Sequence, residues 1–434
     1  MSTIAVVISH YNAPIEREAE SEDLAVSGRI PAELEGSYVR NGPNPRGASA
    51  HWFVGDGMLH GIRLAGGRAQ RYANRWVRTK TFETGAQPIG LTGKVDLRAG
   101  VSNTSVVEHA GRMFALVESS FPCEVTPQLE TIGAYDFAGR LCTPMTAHPK
   151  RCPTTGELHF FGYSPVPQLP ALTYHRVDAA GALVESRAID VPGRTMMHDF
   201  AITSGHVIFM DLPVVFDLQR ALRGTMPFRW SDDYGARLGI MSRDGDRTVR
   251  WFEIEPCYVF HVLNAFEDGS RIVLDAVRYD ELWRDSPDTF GPRALHRWTI
   301  DLASGSVHEA QLDDLPVEFP RIADARTGLP YRYGYAVGAS NEGQSGIVKY
   351  DLATKQNLRF TCEPGQIAGE FVFVAKLNPQ AEDDGWILGF IYDQTRDASD
   401  FVVIEARDLV RVASVHLPQR VPGGFHGGWF PAHA

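Results

Sequence analysis

Short runs of alternating or continuous apolar residues recur along the whole chain, and each ends at a cluster of turn-forming residues. Examples are RMFALVES, HVIFMDLP, RIVLDAVRY, GIVKYDL and WILGFIY, with turn clusters such as EDGS, DLASGS and EDDG between runs. Runs of this kind predict β-strands joined by tight turns. Because no long helical pattern separates them, the chain is predicted to be all-β, as a sandwich, barrel or propeller.

Several strand runs close in the same way, with an apolar stretch followed by Asp and a turn, as in LHRWTIDLASG and GIVKYDLATK. This recurrence favours the blades of a propeller, although no strict repeat is visible. Residues 214–224 instead have helical spacing, with Val215, Leu218 and Leu222 on one face. We expect this helix to pack on the sheets, with a lid as the alternative. Without a linker or low-complexity tract, a single domain over residues 1–434 is expected.

Charge and cysteine content limit the partners and the compartment. The formal net charge of −11 at pH 7, without any Lys/Arg run, argues against a nucleic-acid partner. The five cysteines are scattered and form no C-x-x-C pair, which favours a reducing cytoplasm. No apolar stretch is long enough for a membrane span, and no basic region precedes the short apolar patch near the start. A cytoplasmic protein is expected.

Four of the 15 histidines lie in apolar, aromatic or glycine-rich segments. They are His148 in MTAHPK, His198 in RTMMHDFAI, His261 in YVFHVLNAFEDG and His426 in GGFHGGWF. One such histidine is more often a hydrogen-bonded core residue than a ligand, but four together favour a metal site. Successive members are separated by 50, 63 and 165 positions, so only the fold can bring them together. A propeller does so by directing one histidine from each of four blades towards its axis.

An all-imidazole set suits Fe, Cu, Zn or Ni and argues against Mg or Ca. Four histidines complete a tetrahedral zinc site, whereas octahedral Fe(II) keeps positions for O₂ and substrate. Neutral ligands leave the charge of the ion uncompensated, so carboxylates that accept the other ring N–H are expected. Glu118, Glu318 and Glu370 each interrupt an apolar run and are the candidates. For each of them, an edge-strand glutamate facing solvent is the alternative.

Ten segments, in chain order, resemble the carotenoid cleavage oxygenase family. They are LEGSYVRNGPNP, HWFVGDGMLHGIRL, NRWVRT, NTSVV, TAHPK with TGELHFFGY, MMHDFAIT, VFHVLNAFEDG, EFPRI, GEFVFV and PGGFHGGW. The resemblance implies a seven-bladed β-propeller with a helical cap over its top face. It also implies Fe(II) on the axis, with O₂ as co-substrate. The implied catalytic iron ligands are His148, His198, His261 and His426, supported by Glu118, Glu318 and Glu370.

The family resemblance implies a dioxygenase that cleaves a carbon–carbon double bond of a lipophilic or aromatic alkene to two carbonyl products. Trp52 and Phe53 in HWFVGDG are expected to line the substrate site, with core packing as an equal alternative. Thr104 in NTSVV falls where members of the family place a small side chain near the iron, or it is simply a strand residue.

Substrate choice turns on the residue before the first of these glutamates. Stilbene- and phenylpropanoid-cleaving members are expected to carry a lysine there and a tyrosine upstream, which together bind a phenol hydroxyl. Here the position is Val117, and TFETGAQPIGLTG contains no tyrosine. The missing charge-assisted hydrogen bond is worth about 1.5 to 3 kcal/mol. An apocarotenoid or similar polyene is therefore predicted, with a lignostilbene-type substrate as the alternative.

Two other functions compete with cleavage: an isomerase or isomerohydrolase on the same fold, and a non-catalytic propeller that binds a ligand or a protein. Iron content separates the second of these from the enzymes. A lipophilic substrate comes from a membrane, so peripheral membrane contact is expected through Phe216, Leu222, Met226 and Phe228. The sequence does not indicate an oligomeric state.

Overall fold

The computed structural model describes residues 10–47, 53–89, 94–223, 225–287, 289–339 and 344–432. Within these residues the chain forms seven sheets of four or five antiparallel strands and one two-stranded ribbon. The fold is a seven-bladed β-propeller, which confirms the predicted class. The described α-helices are two five-residue segments, α1 (Lys80–Thr84) and α2 (Leu218–Leu222). Among the described residues, the helical cap that the resemblance implies can therefore consist only of these short helices.

The strands follow one another in chain order. Up to residue 139 they are β1 (Glu20–Ser21), β2 (Val26–Gly28), β3 (Gly36–Asn44), β4 (Asp56–Ala65), β5 (Arg68–Trp76), β6 (Ser105–His109), β7 (Arg112–Leu116), β8 (Cys123–Val125) and β9 (Thr131–Ala134). From residue 140 they are β10 (Lys150–Arg151), β11 (Leu158–Tyr163), β12 (Leu172–Val177), β13 (Leu183–Ile189), β14 (Ala201–Ile202), β15 (His206–Asp211), β16 (Val214–Phe216), β17 (Phe228–Trp230), β18 (Ala236–Ser242), β19 (Arg250–Ile254), β20 (Tyr258–Asp268), β21 (Arg271–Tyr279), β22 (Arg293–Asp301), β23 (Val307–Gln311) and β24 (Val317–Arg321). The last are β25 (Tyr333–Ala339), β26 (Ser345–Asp351), β27 (Gln356–Thr361), β28 (Gln366–Ala375), β29 (Gly385–Asp393), β30 (Ala398–Glu405), β31 (Val410–His416) and β32 (Gly427–Pro431).

The chain divides into two compact units, and the first comprises residues 1–139 and 335–434. Its sheets have the orders β1-β5-β4-β3-β32, β6-β7-β8-β9 and β2-β31-β30-β29-β28. Both ends of the chain thus enter sheets built mainly from distant segments. A buried cluster that includes Tyr38, Tyr72 and Phe401 packs between two of these sheets. Gly66 and Gly67 join β4 to β5 with φ of +57° and +70°, as a tight hairpin turn requires.

The second unit comprises residues 140–334. It contains the sheets β10-β11-β12-β13, β14-β15-β18-β19 and β20-β21-β22-β23, together with the ribbon β16-β17. The remaining sheet, β24-β25-β26-β27, contains the division between the units, which falls inside β25. The single domain expected for residues 1–434 stays a prediction.

The helix predicted over residues 214–224 is only partly formed. Its first residues are strand β16, which pairs with β17, and the helix begins after Asp217, whose side chain accepts a hydrogen bond from the Arg220 N–H. The apolar face does not pack on the sheets, as Leu218 is 61% and Leu222 is 80% exposed. The expected packing is therefore wrong, because pairing of β16 shortens the helix to five residues. Among the described residues, no helix has the length and apolar character needed to cross a membrane.

Two buried histidines make the second unit sensitive to acid. Burial lowers the pKa of His159 and of His175 to about 3, and nearby Arg243 adds to the effect at His159. In the unfolded chain a histidine has a pKa of about 6.5, so between these values the unfolded state binds more protons and stability falls with falling pH. Lowering the pH from 8 to 5 is therefore expected to reduce the free energy of unfolding by about 2 kcal/mol for each of these two histidines.

Urea denaturation at the two pH values measures this effect. A His159→Gln variant should lose less stability on acidification than the wild-type protein, by about 2 kcal/mol. Equal losses in the two proteins would show that the unfolded and folded pKa values of His159 are similar.

Candidate metal centre

Four histidines from four different sheets come together. His148, His198 and His426 lie just before β10, β14 and β32, while His261 lies within β20. β10, β14 and β20 are the first strands of their sheets, and β32 is an edge strand of its sheet. The ligand nitrogens of the four rings all lie within 4.8 Å of one another. The structure thus brings together all four residues that the sequence singled out.

The donor set and its spacing fit a metal ion. Nε2 of His148 lies 3.0 Å from Nε2 of His198. First-row divalent metals bind imidazole nitrogen at about 2.1 Å, so nitrogens in adjacent octahedral positions are about 3.0 Å apart. His148 and His198 are half-buried, and His261 and His426 are buried. Four imidazoles without a thiolate or carboxylate favour a metal of borderline softness, a class that includes iron.

Glu318 in β24 orients the His261 ring. Nδ1 of His261 donates to Glu318 Oε2 at 2.5 Å, which leaves Nε2 to face the other three rings. The Phe319 N–H donates to the same oxygen and the Tyr279 hydroxyl donates to Oε1 at 2.9 Å. Burial alone would raise the pKa of Glu318, but His261 and these donors outweigh it and the pKa is lowered. Glu318 is therefore an ionised carboxylate.

Glu370 in β28 orients the His426 ring in the same way. Nδ1 of His426 donates to Glu370 Oε1 at 2.8 Å, and the Gly427 N–H donates to Oε2 at 2.8 Å. The Glu370 side chain is 1% exposed. Both of its oxygens thus accept a hydrogen bond, which satisfies a fully buried carboxylate.

Backbone hydrogen bonds hold His426 in place. Its N–H donates to the carbonyl of Thr104 at 3.0 Å, and its carbonyl accepts from the Asn41 N–H at 3.0 Å. Thr104 is buried and its hydroxyl donates to Asn103 Oδ1. The backbone carbonyl of Thr104 therefore helps to position His426, and the expected place of the Thr104 side chain near the metal stays a prediction.

The remaining predicted residues differ in how far the structure places them. Glu118 and Val117 lie directly after β7 and are half-buried. The role of Glu118 as a third supporting carboxylate stays a prediction. Phe53 is half-buried and its ring packs edge-to-face on Phe425, 5.4 Å between centroids. Trp52 lies outside the described residues.

Aromatic rings surround the imidazoles. Phe260 packs edge-to-face on His198 and Phe319 stacks on His261, each with centroids 5.4 Å apart. Phe425 lies beside His426, at 6.4 Å. These rings place apolar surface against three of the four imidazoles.

Tyr279 and Phe319 were not among the residues predicted for the site. Tyr279 ends β21, and only the pairing of sheets brings its hydroxyl to Glu318. Phe319 has φ +52°, an unusual conformation for a bulky residue, which places its N–H on the neighbouring carboxylate. Its position directly after Glu318 in the EFPRI segment was the one available signal.

The chain matches a family model described as retinal pigment epithelial membrane protein over residues 12–431. It is 38% identical to a carotenoid cleavage oxygenase of Mycobacterium tuberculosis, over 97% of this chain and 96% of that protein. It is 33% identical to a carotenoid 9,10(9′,10′)-cleavage dioxygenase of Crocus sativus, over 93% of this chain and 85% of that protein.

Solved structures give the same picture. A lignostilbene dioxygenase of Pseudomonas brassicacearum superposes with a TM-score of 0.87 at 28% identity, covering 96% of this chain and 97% of that one. An apocarotenoid oxygenase mutant of Synechocystis superposes with a TM-score of 0.87 at 28% identity, covering 97% and 98%. The similarity extends over nearly the whole chain in each case.

Proposed function

The chain belongs to the carotenoid cleavage oxygenase family, and from this premise we propose that it is a non-haem Fe(II) dioxygenase that cleaves a carbon–carbon double bond of an apocarotenoid or similar polyene. Membership makes it an alkene-cleaving oxygenase. The iron, its ligands and the polyene substrate are the proposal. The observation that carries it is the convergence of four imidazoles within 4.8 Å.

In this proposal the four histidines bind Fe(II) through the nitrogens that face one another. Bound iron supplies the activation of O₂. Glu318 and Glu370 hold the Nδ1 protons of His261 and His426, fix the ring orientations and balance the charge of the ion. Glu118 is proposed as a third carboxylate with this role.

The protein's own contribution to the reaction is placement and exclusion of water. Phe260, Phe319 and Phe425 pack against the imidazoles, and Phe53 extends this wall through Phe425. Flat apolar walls hold a planar alkene without strong directional contacts. The double bond that is cleaved is therefore the one that the bound substrate places beside the iron. Trp52 remains a proposed lining residue.

Two substrate classes remain, and similarity of fold does not separate them, because the lignostilbene dioxygenase and the apocarotenoid oxygenase superpose equally well. The preference for a polyene rests on Val117, which cannot donate a hydrogen bond to a phenolate. Val117 is half-buried beside Glu118, and its side chain lies close to the backbone of Gly100. A lignostilbene-type substrate is the second candidate, supported by the first of these structural relatives.

Mass spectrometry of products tests the function. The Fe(II)-loaded protein is incubated in air with an apocarotenal and, separately, with a 4-hydroxystilbene. Shorter aldehydes from the apocarotenal alone are expected. Aldehydes from the stilbene alone would keep the reaction and replace the substrate class, whereas no product from either would overturn the proposed reaction for these substrates. Isomerised polyene without cleavage would favour an isomerase.

We also propose peripheral contact with a membrane through helix α2. Of the residues expected there, Phe228 is buried against Tyr163 and Phe216, so the prediction is wrong for Phe228. Leu222, which was among the expected residues, is exposed, and so is its neighbour Leu218, whereas Phe216 and Met226 are half-buried. Peripheral contact would let a lipophilic substrate pass from the bilayer to the protein.

Liposome flotation measures this contact. The double variant Leu218→Ser/Leu222→Ser should lower the partition coefficient at least about 30-fold, because each leucine contributes roughly 1 kcal/mol or more on leaving water. A control, Leu377→Ser/Val410→Ser, removes exposed apolar residues from the other unit and should leave binding unchanged. A wild-type protein that stays with the soluble fraction would remove the proposal.

A further inference from the structure

One buried carboxylate contacts three of the four histidine-bearing segments. Asp199 directly follows His198 and is 1% exposed. Its Oδ1 lies 2.7 Å from Nζ of Lys150, and its Oδ2 accepts a hydrogen bond from the Val262 N–H at 2.8 Å. The Phe200 N–H also donates to Oδ1, at 2.8 Å.

The partners of Asp199 are placed next to the other histidines. Lys150 lies two residues after His148, and Val262 directly follows His261. These segments belong to the starts of three different sheets, β10, β14 and β20. In the part of the chain that the structure describes, no backbone ladder joins those three sheets, so a side chain that bridges them limits how far each histidine can move.

The contacts of Asp199 are strong because they are buried. The Asp199 side chain is 2% exposed and that of Lys150 is 19% exposed. An ionised carboxylate in such a place is stable only when charged or polar donors satisfy it, and removing one partner is much more destabilising than the pair is stabilising. All three segments are therefore held to the same point.

We propose that Asp199 is a positioning residue that sets the separation of the His148, His198 and His261 imidazoles through Lys150 and the Val262 amide. Metal ligands must be held within about 0.5 Å of the productive geometry. The proposal rests on the proposed metal-binding function. It concerns the preorganisation of the site and not contact with the ion or the substrate.

The variant Asp199→Asn tests it, because the change keeps the shape and replaces one oxygen by a donor. Both oxygens of Asp199 accept hydrogen bonds, so the new amide must face either the Val262 N–H or the Lys150 ammonium. The matched control is Asp275→Asn. Asp275 is 0% exposed and binds Arg297 at 2.6 and 2.7 Å, but its partners lie beside no histidine of the site.

The measurement is the affinity of each apoprotein for Co(II), by competition with a chelator, together with the visible absorption of the Co(II) complex and the Tm of the apoprotein. Asp199→Asn should weaken Co(II) binding about 10- to 100-fold and alter the absorption spectrum. Asp275→Asn should lower the Tm and leave Co(II) affinity within about twofold of wild type. Co(II) affinity and spectrum that stay at wild-type values in Asp199→Asn would overturn the proposal.

A second variant decides the matter if Asp199→Asn does not fold. Lys150→Met removes a partly exposed partner and should weaken Co(II) binding at least about fivefold. An affinity within about twofold of wild type would contradict the proposal. A wild-type apoprotein that itself fails to bind Co(II) or Fe(II) would instead reject the proposed function, so the two failures are distinguishable.

Discussion

His198→Ala should remove bound iron and lower the rate of alkene cleavage by at least about 100-fold, with the circular dichroism of the sheets unchanged. The reason is geometric. Nε2 of His198 lies 3.0 Å from Nε2 of His148, and both belong to the set of four converging nitrogens. Since the histidine precedes β14 and lies outside that strand, its loss removes a proposed metal ligand and leaves the sheet ladder intact.

Iron content is measured by mass spectrometry of the purified protein, and the rate by product formation. His206→Ala is the matched control, because His206 is also partly exposed, lies in the same unit and binds the carboxylate of Glu267. The control should keep its iron and its turnover. If His198→Ala keeps both iron and turnover, His198 is not a ligand.

Glu370→Gln should be much more damaging than Glu318→Gln, although both changes remove one charge. Glu370 accepts one hydrogen bond on each oxygen, from the backbone N–H of Gly427 and from Nδ1 of His426. The backbone N–H cannot act as an acceptor, and His426 could do so only by changing its tautomer. The glutamine amide therefore leaves one buried donor unsatisfied in either orientation. A loss of about 10- to 100-fold in iron affinity or turnover is expected.

Glu318 differs because one of its three donors can turn round. The Tyr279 hydroxyl, which donates to Oε1, can instead accept a hydrogen bond from the glutamine amide, while Oε2 still accepts from His261. Iron affinity of Glu318→Gln should therefore exceed that of Glu370→Gln by about tenfold. Equal losses would show that the carboxylate charge, and not hydrogen-bond geometry, supports the histidines.

The class of fold was accessible from the sequence because strand signals are local. Segments such as 206–211 and 271–279 have apolar residues at strand spacing and turn residues at their ends, and both form strands in the structure. The segment 214–224 shows where local reasoning ends. Its apolar residues have helical spacing, but the pairing of β16 with β17 limits the helix to five residues. The exposure of Leu222 depends on the neighbouring segments of the fold, which the local sequence does not specify.

The amino-acid sequence singles out the residues that are proposed to carry the chemistry. Histidines in apolar and glycine-rich settings, and glutamates inside strand runs, are costly to bury without a partner, and that cost marks His148, His261, Glu318 and Glu370 in a single sequence. The negative net charge also argues against a nucleic-acid partner. These signals depend on residue type and immediate neighbours alone.

Which carboxylate orients which ring, and what holds the histidine-bearing segments together, follows from the folded chain. The pairing of Glu318 with His261 joins residues 57 positions apart. The Tyr279 hydroxyl reaches a carboxylate of another sheet, and nothing near Tyr279 in the sequence distinguishes it from an ordinary strand residue. Asp199 adjoins His198 in the sequence, but its contacts with Lys150 and the Val262 N–H come from other sheets. Such contacts depend on distances between strands of different sheets, which the packing of the whole core sets, so no local pattern encodes them.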